Sequence, residues 1–275
     1  MRILIAGARG QLGRSLQTFP GSQELTPLER DRLDITDLKA VREAIAAYHP
    51  DLVINAAAYN NVDGAESDAD GAYRLNARGP RNLAAATAES GIPVLHVSSD
   101  YVFDGTSNVP YHEYHRPNPI SVYGCSKLAG EAEVRALNER HYIVRTAWLY
   151  HEIGENFPNR MLKQRERPQV RVVSDQSGSP TYAPHLAKAI GRLVTTGAYG
   201  TYHFAGCGGT SFYELTVALY RHLGIEVPVI PVTTAEFPRP AARPPYSVLA
   251  TLQEPQILLP PWEEGLAEYA SALKK

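Results

Sequence analysis

Tyr123-Gly-Cys-Ser-Lys127 sets a phenol and an ammonium four residues apart. On a helix such positions share a face, so both side chains can enter one cleft. A lysine near a phenol favours the phenolate and is expected to lower a pKa that starts at about 10. Tyr123 would then be a usable proton donor or acceptor at neutral pH. Ser99 lies 24 residues earlier, at the end of an apolar stretch. A phenol to pass a proton, an amine to tune it and a hydroxyl to hold an oxygen form a site that interconverts an alcohol and a ketone, given a hydride source.

The N-terminus offers a place for that source. Gly7-Ala-Arg-Gly10-Gln-Leu-Gly13 follows an apolar run, RILIA, and opens a helical stretch. Small residues there let the backbone approach a pyrophosphate, whose charge faces the free amides of the helix start. The alternative is a plain tight turn with close helix–strand packing. About twenty residues on, Leu28-Glu29-Arg30-Asp31 pulls two ways, since a carboxylate suits the ribose hydroxyl of NAD and an arginine the 2′-phosphate of NADP. Arg30 favours NADPH with NADH tolerated, unless its side chain is simply solvated. Asp34 either reaches the adenine or caps a helix starting near Thr36. Lys127 can also hold the nicotinamide ribose.

These groups need a sheet with helices on both faces. Strands are expected at 2–7, 24–29, 51–58, 93–99 and 142–148, and helices at 11–18, 37–48, 64–90 with a break near Gly79-Pro80, and 121–139. Short β-branched runs alternating with longer helical ones argue for βαβ units. Asp63 and Glu66 have the spacing of a capping box for the third helix. The second half holds helices at 157–166, 183–195 and 211–223 and strands at 170–173, 200–204 and 228–231, among many prolines. The fold class is α/β: a Rossmann-like doubly wound parallel sheet, residues 1–150 with a return segment from about 183 to 196, under a smaller α/β substrate-binding lid, residues 151–275.

Composition excludes other classes. With 275 residues, 44% hydrophobic, the chain can bury a large core. Its net charge of -2, from 27 basic and 29 acidic residues without a long run of either sign, argues against a nucleic-acid partner. Two cysteines, Cys125 and Cys207, make no disulfide framework or zinc site, and His112 and His115 are assigned no metal. The first apolar run is too short for a signal peptide or membrane span, so a cytoplasmic location is expected.

GARGQLG, LDITD, NAAAYNNVDGAE, SSDYVFDG, YGCSKLAGE, RTAWLY, DQSGSPT at 175–181 and RPPYSVL at 243–249 together resemble the dTDP-4-dehydrorhamnose reductases of the extended short-chain dehydrogenase/reductase superfamily, along essentially the whole chain. The resemblance implies that Ser99, Tyr123 and Lys127 form the catalytic triad and that Ser99, Asp100 and Trp148 touch the sugar, with Tyr101 beside them. It also implies that Gly10, Gln11, Leu12, Asp34, Ile35, Ala57, Ala58 and Asn60 line the cofactor, next to Gly7, Gly13 and Arg30. Trp148 could instead be a core residue, and Asn76 could bridge backbone groups. A glutamate near the start of the first helix, which in that family joins a magnesium-bridged dimer, is absent: residues 14–16 are Arg-Ser-Leu. No metal is assigned, and a homodimer would have to form without that contact. The aspartate common after Ser-Val-Leu is Ala250 here.

Related 4,6-dehydratases carry Thr-Asp-Glu where this chain has Ser99-Asp100-Tyr101. Elimination needs that carboxylic acid, and a phenol is a poor base at pH 7. The expected reaction is therefore hydride transfer from NADPH to the C4 ketone of a nucleotide sugar, with Tyr123 as proton donor. The rivals are a 4-epimerase or reductase of another nucleotide sugar, and a non-catalytic regulatory subunit of the same fold.

Overall fold

The computed structural model describes residues 1–18 and 24–274. Its first half runs β1 (Arg2–Ala6), α1 (Gln11–Leu16), β2 (Glu24–Leu28), α2 (Leu38–Tyr48), β3 (Leu52–Asn55), α3 (Val62–Ala65), α4 (Ala69–Tyr73), α5 (Gly79–Glu89), β4 (Val94–Ser99), α6 (Val122–Leu137) and β5 (His141–Thr146). The second half adds β6 (Leu149–Tyr150), α7 (Phe157–Leu162), β7 (Val170–Val173), β8 (Ser177–Gly178), β9 (Thr181–Tyr182), α8 (Ala183–Leu193), β10 (Gly200–His203), β11 (Thr210–Ser211), α9 (Phe212–Leu223), β12 (Val229–Val232) and α10 (Trp262–Ala272).

The main sheet has the order β10-β5-β4-β3-β1-β2, with every pairing parallel. Side chains alternate across it as a pleat requires. Ile3, Ile5 and Ile54 pack with Leu12 and Leu16 of α1 and Leu186 and Ile190 of α8. Leu4, Val53 and Ile143 pack on the other side with Val41 of α2, Leu83 of α5 and Val134 of α6. The strand order reverses between β1 and β3, the switch point outside whose strand ends a ligand crevice forms.

Three expectations change. The strand at 200–204 pairs with β5 as an edge of the main sheet, where the sequence grouped it with the second half. The long helix at 64–90 breaks after Ala65 and holds at Gly79-Pro80. Pro80 has no N–H to return to Asn76, and the chain widens into a π turn, Arg74–Arg78, ahead of α5. The capping box at Asp63–Glu66 does not form. Asn61 caps α3, accepting from Gly64 N at 3.0 Å. Asp63 reaches into the lid, and Glu66 accepts the first amide of α6, Val122 N, at 2.9 Å.

A further core gathers Tyr150, Met161, Val170, Val172, Leu215, Leu219, Leu266 and Tyr269. It is built on α9, α10 and the parallel pair β7–β12.

Candidate active site

A cleft of about 610 Å³ lies between the sheet ends and the lid. Of the residues expected at a site, it gathers Gly10, Gln11, Leu12, Ala57, Ala58, Asn60, Ser99, Tyr101, Tyr123, Lys127 and Trp148. Gly7, Gly13, Arg30, Asp34, Ile35 and Asp100 do not line it. Gly7 and Gly13 shape the turn from behind. Gly7 has φ +82°, and a Cβ on it would stand 2.6 Å from Ala57 N; one on Gly13 would strike the Gly7 carbonyl. Only glycine lets the turn close this tightly. Gly10 caps α1 without a side chain, so nothing from the cap covers the first amides.

At the second strand's end, Glu29 pairs with Arg9 and Arg30 is exposed. Asp34 accepts from Thr36 N (2.9 Å) and Thr36 Oγ1 (2.8 Å), bonds that hold its carboxyl below the usual range. Ile35 is buried among Leu33, Val41 and Leu83. Gln11 spends its amide on the lid, bonding the Glu155 carbonyl and Asn156.

Ser121 caps α6, and the helix brings Tyr123 and Lys127 into the cleft together. Lys127 is 2% exposed and donates from Nζ to the Val97 carbonyl at 2.6 Å. Burial pulls it down to about 8, against the raising field of Glu131. The expected lowering of Tyr123 by this lysine is absent. Burial pushes the phenol up to about 12; the nearby Ser99 hydroxyl opposes this and the Asp100 charge adds to it. Desolvation of the phenolate is the largest influence on it. Asn76 takes the bridging role: its amide binds both backbone groups of Tyr59 and donates to Ser126 Oγ of α6 at 3.0 Å.

Ser99 donates to Asp100 Oδ1 at 2.9 Å, so its hydroxyl proton is already committed. Asp100 is fully buried, also accepts from Ser247 Oγ at 2.7 Å, and is raised to about 6 by burial. An acid raised in the fold above its unfolded value destabilises the fold when ionised. That cost is absent below about pH 4, grows up to about pH 6, and is full above. Asp100→Asn removes it. Comparison of urea unfolding at pH 4 and pH 7 should show the variant gaining roughly 3 kcal/mol on wild type between them; a pH-independent difference would contradict the buried charge.

Tyr101 meets Tyr123 edge-on, with centroids 5.5 Å apart, and burial raises its phenol further. Trp148 lines the cleft and stacks on Phe212, with centroids 3.6 Å and planes 4° apart. A Cβ on Gly178 would strike the indole, which explains the glycine in DQSGSPT.

Sequence reading missed the basic cluster. Arg160, Arg239 and Arg243 line the cleft with Asp63. Asp63 accepts from both Arg243 nitrogens at 3.0 Å and pairs with Arg239 at 3.0 Å. Partial burial and the two neighbouring cations hold Arg160 below its usual range. Residues 241–252 form a strap tied by three carboxylates of the first half. Asp63 accepts Ala241 N (3.2 Å), Asp100 accepts Ser247, and Glu113 accepts Thr251 Oγ1 (2.6 Å) and Leu252 N (3.0 Å).

Among the described residues, no group of three or more His, Cys, Asp or Glu comes together to hold a metal ion, and no helix is long and apolar enough to cross a membrane.

The family model described as the RmlD substrate binding domain matches residues 1–275. The dTDP-4-dehydrorhamnose reductase of Streptomyces griseus is 41% identical over 285 residues, covering 99% of this chain and 94% of that protein. A crystal structure of a dTDP-4-dehydrorhamnose reductase from Clostridium acetobutylicum is similar at a TM-score of 0.97 and 43% identity, covering 100% of both chains. One from Bacillus anthracis, solved in complex with NADP, has a TM-score of 0.96 and 40% identity, covering 100% of this chain and 99% of that one. With Tyr123 and Lys127 in one cleft beside its glycine turn, and with this likeness along its whole length, the chain belongs to the dTDP-4-dehydrorhamnose reductase family.

Proposed function

We propose that the chain reduces the C4 ketone of dTDP-4-dehydro-L-rhamnose with NADPH, giving dTDP-L-rhamnose. The observation that carries this reading is one cleft lined together by Ser99, Tyr123 and Lys127, by Gly10, Gln11 and Leu12 of the glycine turn, and by Arg160, Arg239 and Arg243. A dinucleotide fits the glycine turn, where Gly7 and Gly13 leave room only for backbone. Gly10, Gln11 and Leu12 would take its pyrophosphate, with Ala57, Ala58 and Asn60 alongside and Arg30 toward a 2′-phosphate. NADPH, when bound, supplies the hydride to C4.

The chain's own groups handle the proton and the sugar. Because burial holds Tyr123 protonated to about pH 12, it meets the ketone as an acid and gives its proton to O4. Ser99 holds that oxygen by turning its hydroxyl away from Asp100, whose second oxygen stays bonded to Ser247. Lys127 spends one of three hydrogens on Val97, which leaves two for the ribose. Tyr101 stands where a dehydratase has its acid; with its phenol raised by burial it supplies no base at neutral pH, which favours reduction over elimination. The arginines suit the diphosphate, which guanidinium groups bind in pairs.

Steady NADPH oxidation with dTDP-4-dehydrorhamnose tests this. An epimerase would convert sugar without consuming cofactor, and a regulatory subunit would show no turnover and co-purify with a larger enzyme; either result overturns the reading.

A further inference from the structure

Behind the cleft, α6 carries a buried charge that the mechanism above leaves unused. Ser98, Arg145 and His203 are register partners across β4, β5 and β10, a polar row on the face that α6 covers. Glu131, one turn beyond Lys127 and fully buried, meets that row. Its Oε1 accepts from Ser98 Oγ at 2.6 Å and Arg145 Nε at 2.8 Å. Its Oε2 accepts from Arg145 Nη2 and Arg135 Nη2, each at 2.7 Å. Arg145 is 2% exposed, lies over the Phe103 ring at 5.3 Å and points Nη1 at His203 Nε2, 3.3 Å away. His203 Nδ1 is 3.0 Å from two carbonyl oxygens, those of Tyr111 and Ala250. Carbonyls only accept, so the ring hydrogen sits on Nδ1 and Nε2 accepts from Arg145.

A buried ion pair adds little stability over apolar residues of the same volume, but it fixes geometry. Here the fixed atoms adjoin the site. Ser98 precedes Ser99, the Val97 carbonyl holds Lys127 Nζ, and Arg145 precedes Thr146, a cleft residue. Residues 127 and 131 share a helix face, so the carboxylate that locks α6 to the sheet is also the anion next to the ammonium.

We propose that Glu131 is a positioning residue for the reduction: clamped to β4 and β5, its carboxylate sets α6 against the sheet and keeps Lys127 charged at the Val97 carbonyl, where the cofactor ribose would meet it. The proposal rests on the cofactor role given above to Lys127. The other charged and titratable groups around the ammonium are Tyr123 and Arg135 on α6, His96 on β4, Arg145 on β5 and Asp100 in the turn after β4. His96 is held far below its usual range by burial and by Lys127 itself and stays neutral. Arg135 and Arg145 are bonded to the carboxylate itself, and Glu131 is the anion whose field raises Lys127 against burial.

Glu131→Gln keeps the shape and removes the charge. Lysine Cε NMR of the unliganded protein, with Lys127 assigned through Lys127→Met, should show the Lys127 proton affinity falling at least about tenfold. NADPH titrations should weaken at pH 8 and recover at pH 6.5, and Glu131→Asp should restore much of both. If Glu131→Gln does not fold, Arg135→Gln is read instead. Its side chain is 39% exposed, and losing this partner of Oε2 leaves more of the carboxylate's field at the ammonium, which should raise the Lys127 midpoint. An unchanged Lys127 titration in folded Glu131→Gln, or failing that in Arg135→Gln, overturns the proposal, even if activity falls. Failure of the wild type to oxidise NADPH would refute the proposed reaction and leave the lysine titration standing as a separate result.

Discussion

Tyr123→Phe should cut turnover of dTDP-4-dehydrorhamnose by about 10²–10⁴, the usual loss when a general acid is removed, while NADPH binds as tightly as to wild type. The substitution deletes one oxygen. The ring that meets Tyr101 edge-on remains, as does the α6 backbone, so little but the proton is lost. Because burial keeps that proton on to about pH 12, the wild-type rate should show no loss of this acid between pH 7 and 9. Stopped-flow measurement of hydride transfer, beside a fluorescence titration with NADPH, separates chemistry from binding. Full activity in the variant would remove Tyr123 from the reaction.

Arg160→Ala should raise KM for the nucleotide sugar by about 10–100-fold, since a hydrogen bond to a charged group contributes on the order of 1.5–3 kcal/mol. NADPH affinity should be unchanged and kcat should fall less. Arg160 is chosen over its neighbours for a structural reason. Arg239 and Arg243 both pair with Asp63, so replacing either would also loosen the strap. Arg160 lines the same cleft and is held down by partial burial and by their repulsion, the second of which an anionic ligand would relieve. Steady-state kinetics with the sugar varied at saturating NADPH decide the point; an unchanged KM would take the diphosphate away from this cluster.

The sheet was readable because its strands are continuous buried runs and its helices carry one apolar stripe. Ile3, Ile5 and Ile54 against Leu4 and Val53 show the period of two directly. In the second half α7, α8, α9, β7, β10 and β12 stand within a few residues of where the sequence places them; the shortest strands and the last helix were not read. Strands β6, β8, β9 and β11 are two residues each, too short for a pattern, and exist through pairings far along the chain. Helix α10 had legible signals: Pro261 before it, Glu263 and Glu264 in its first turn, and buried Leu266, Tyr269 and Ala270 at helical spacing. In the site, the Tyr123–Lys127 spacing put both side chains on one helix facing the cleft, whereas the direction of the phenol's shift depended on burial, which spacing does not reveal. The basic cluster was hidden for another reason. Asp63 and Arg243 stand 180 residues apart, and either alone reads as a surface charge. The same holds for Asp63 and Glu66, whose capping pattern the fold uses for contacts with the lid and α6.

The strap has a consequence for how the molecule is made. Asp63, Asp100 and Glu113 are all synthesised well before the groups they hold at 241–252. A nascent polypeptide that has reached Gly200 already owns the glycine turn, Tyr123 and Lys127, yet it has no Ser247 for Asp100 and no Arg243 for Asp63. A ribosome that stalled or let go near residue 240 would therefore release a chain that carries Tyr123, Lys127, Arg160 and Arg239 but lacks Arg243 and the strap that Asp63, Asp100 and Glu113 hold.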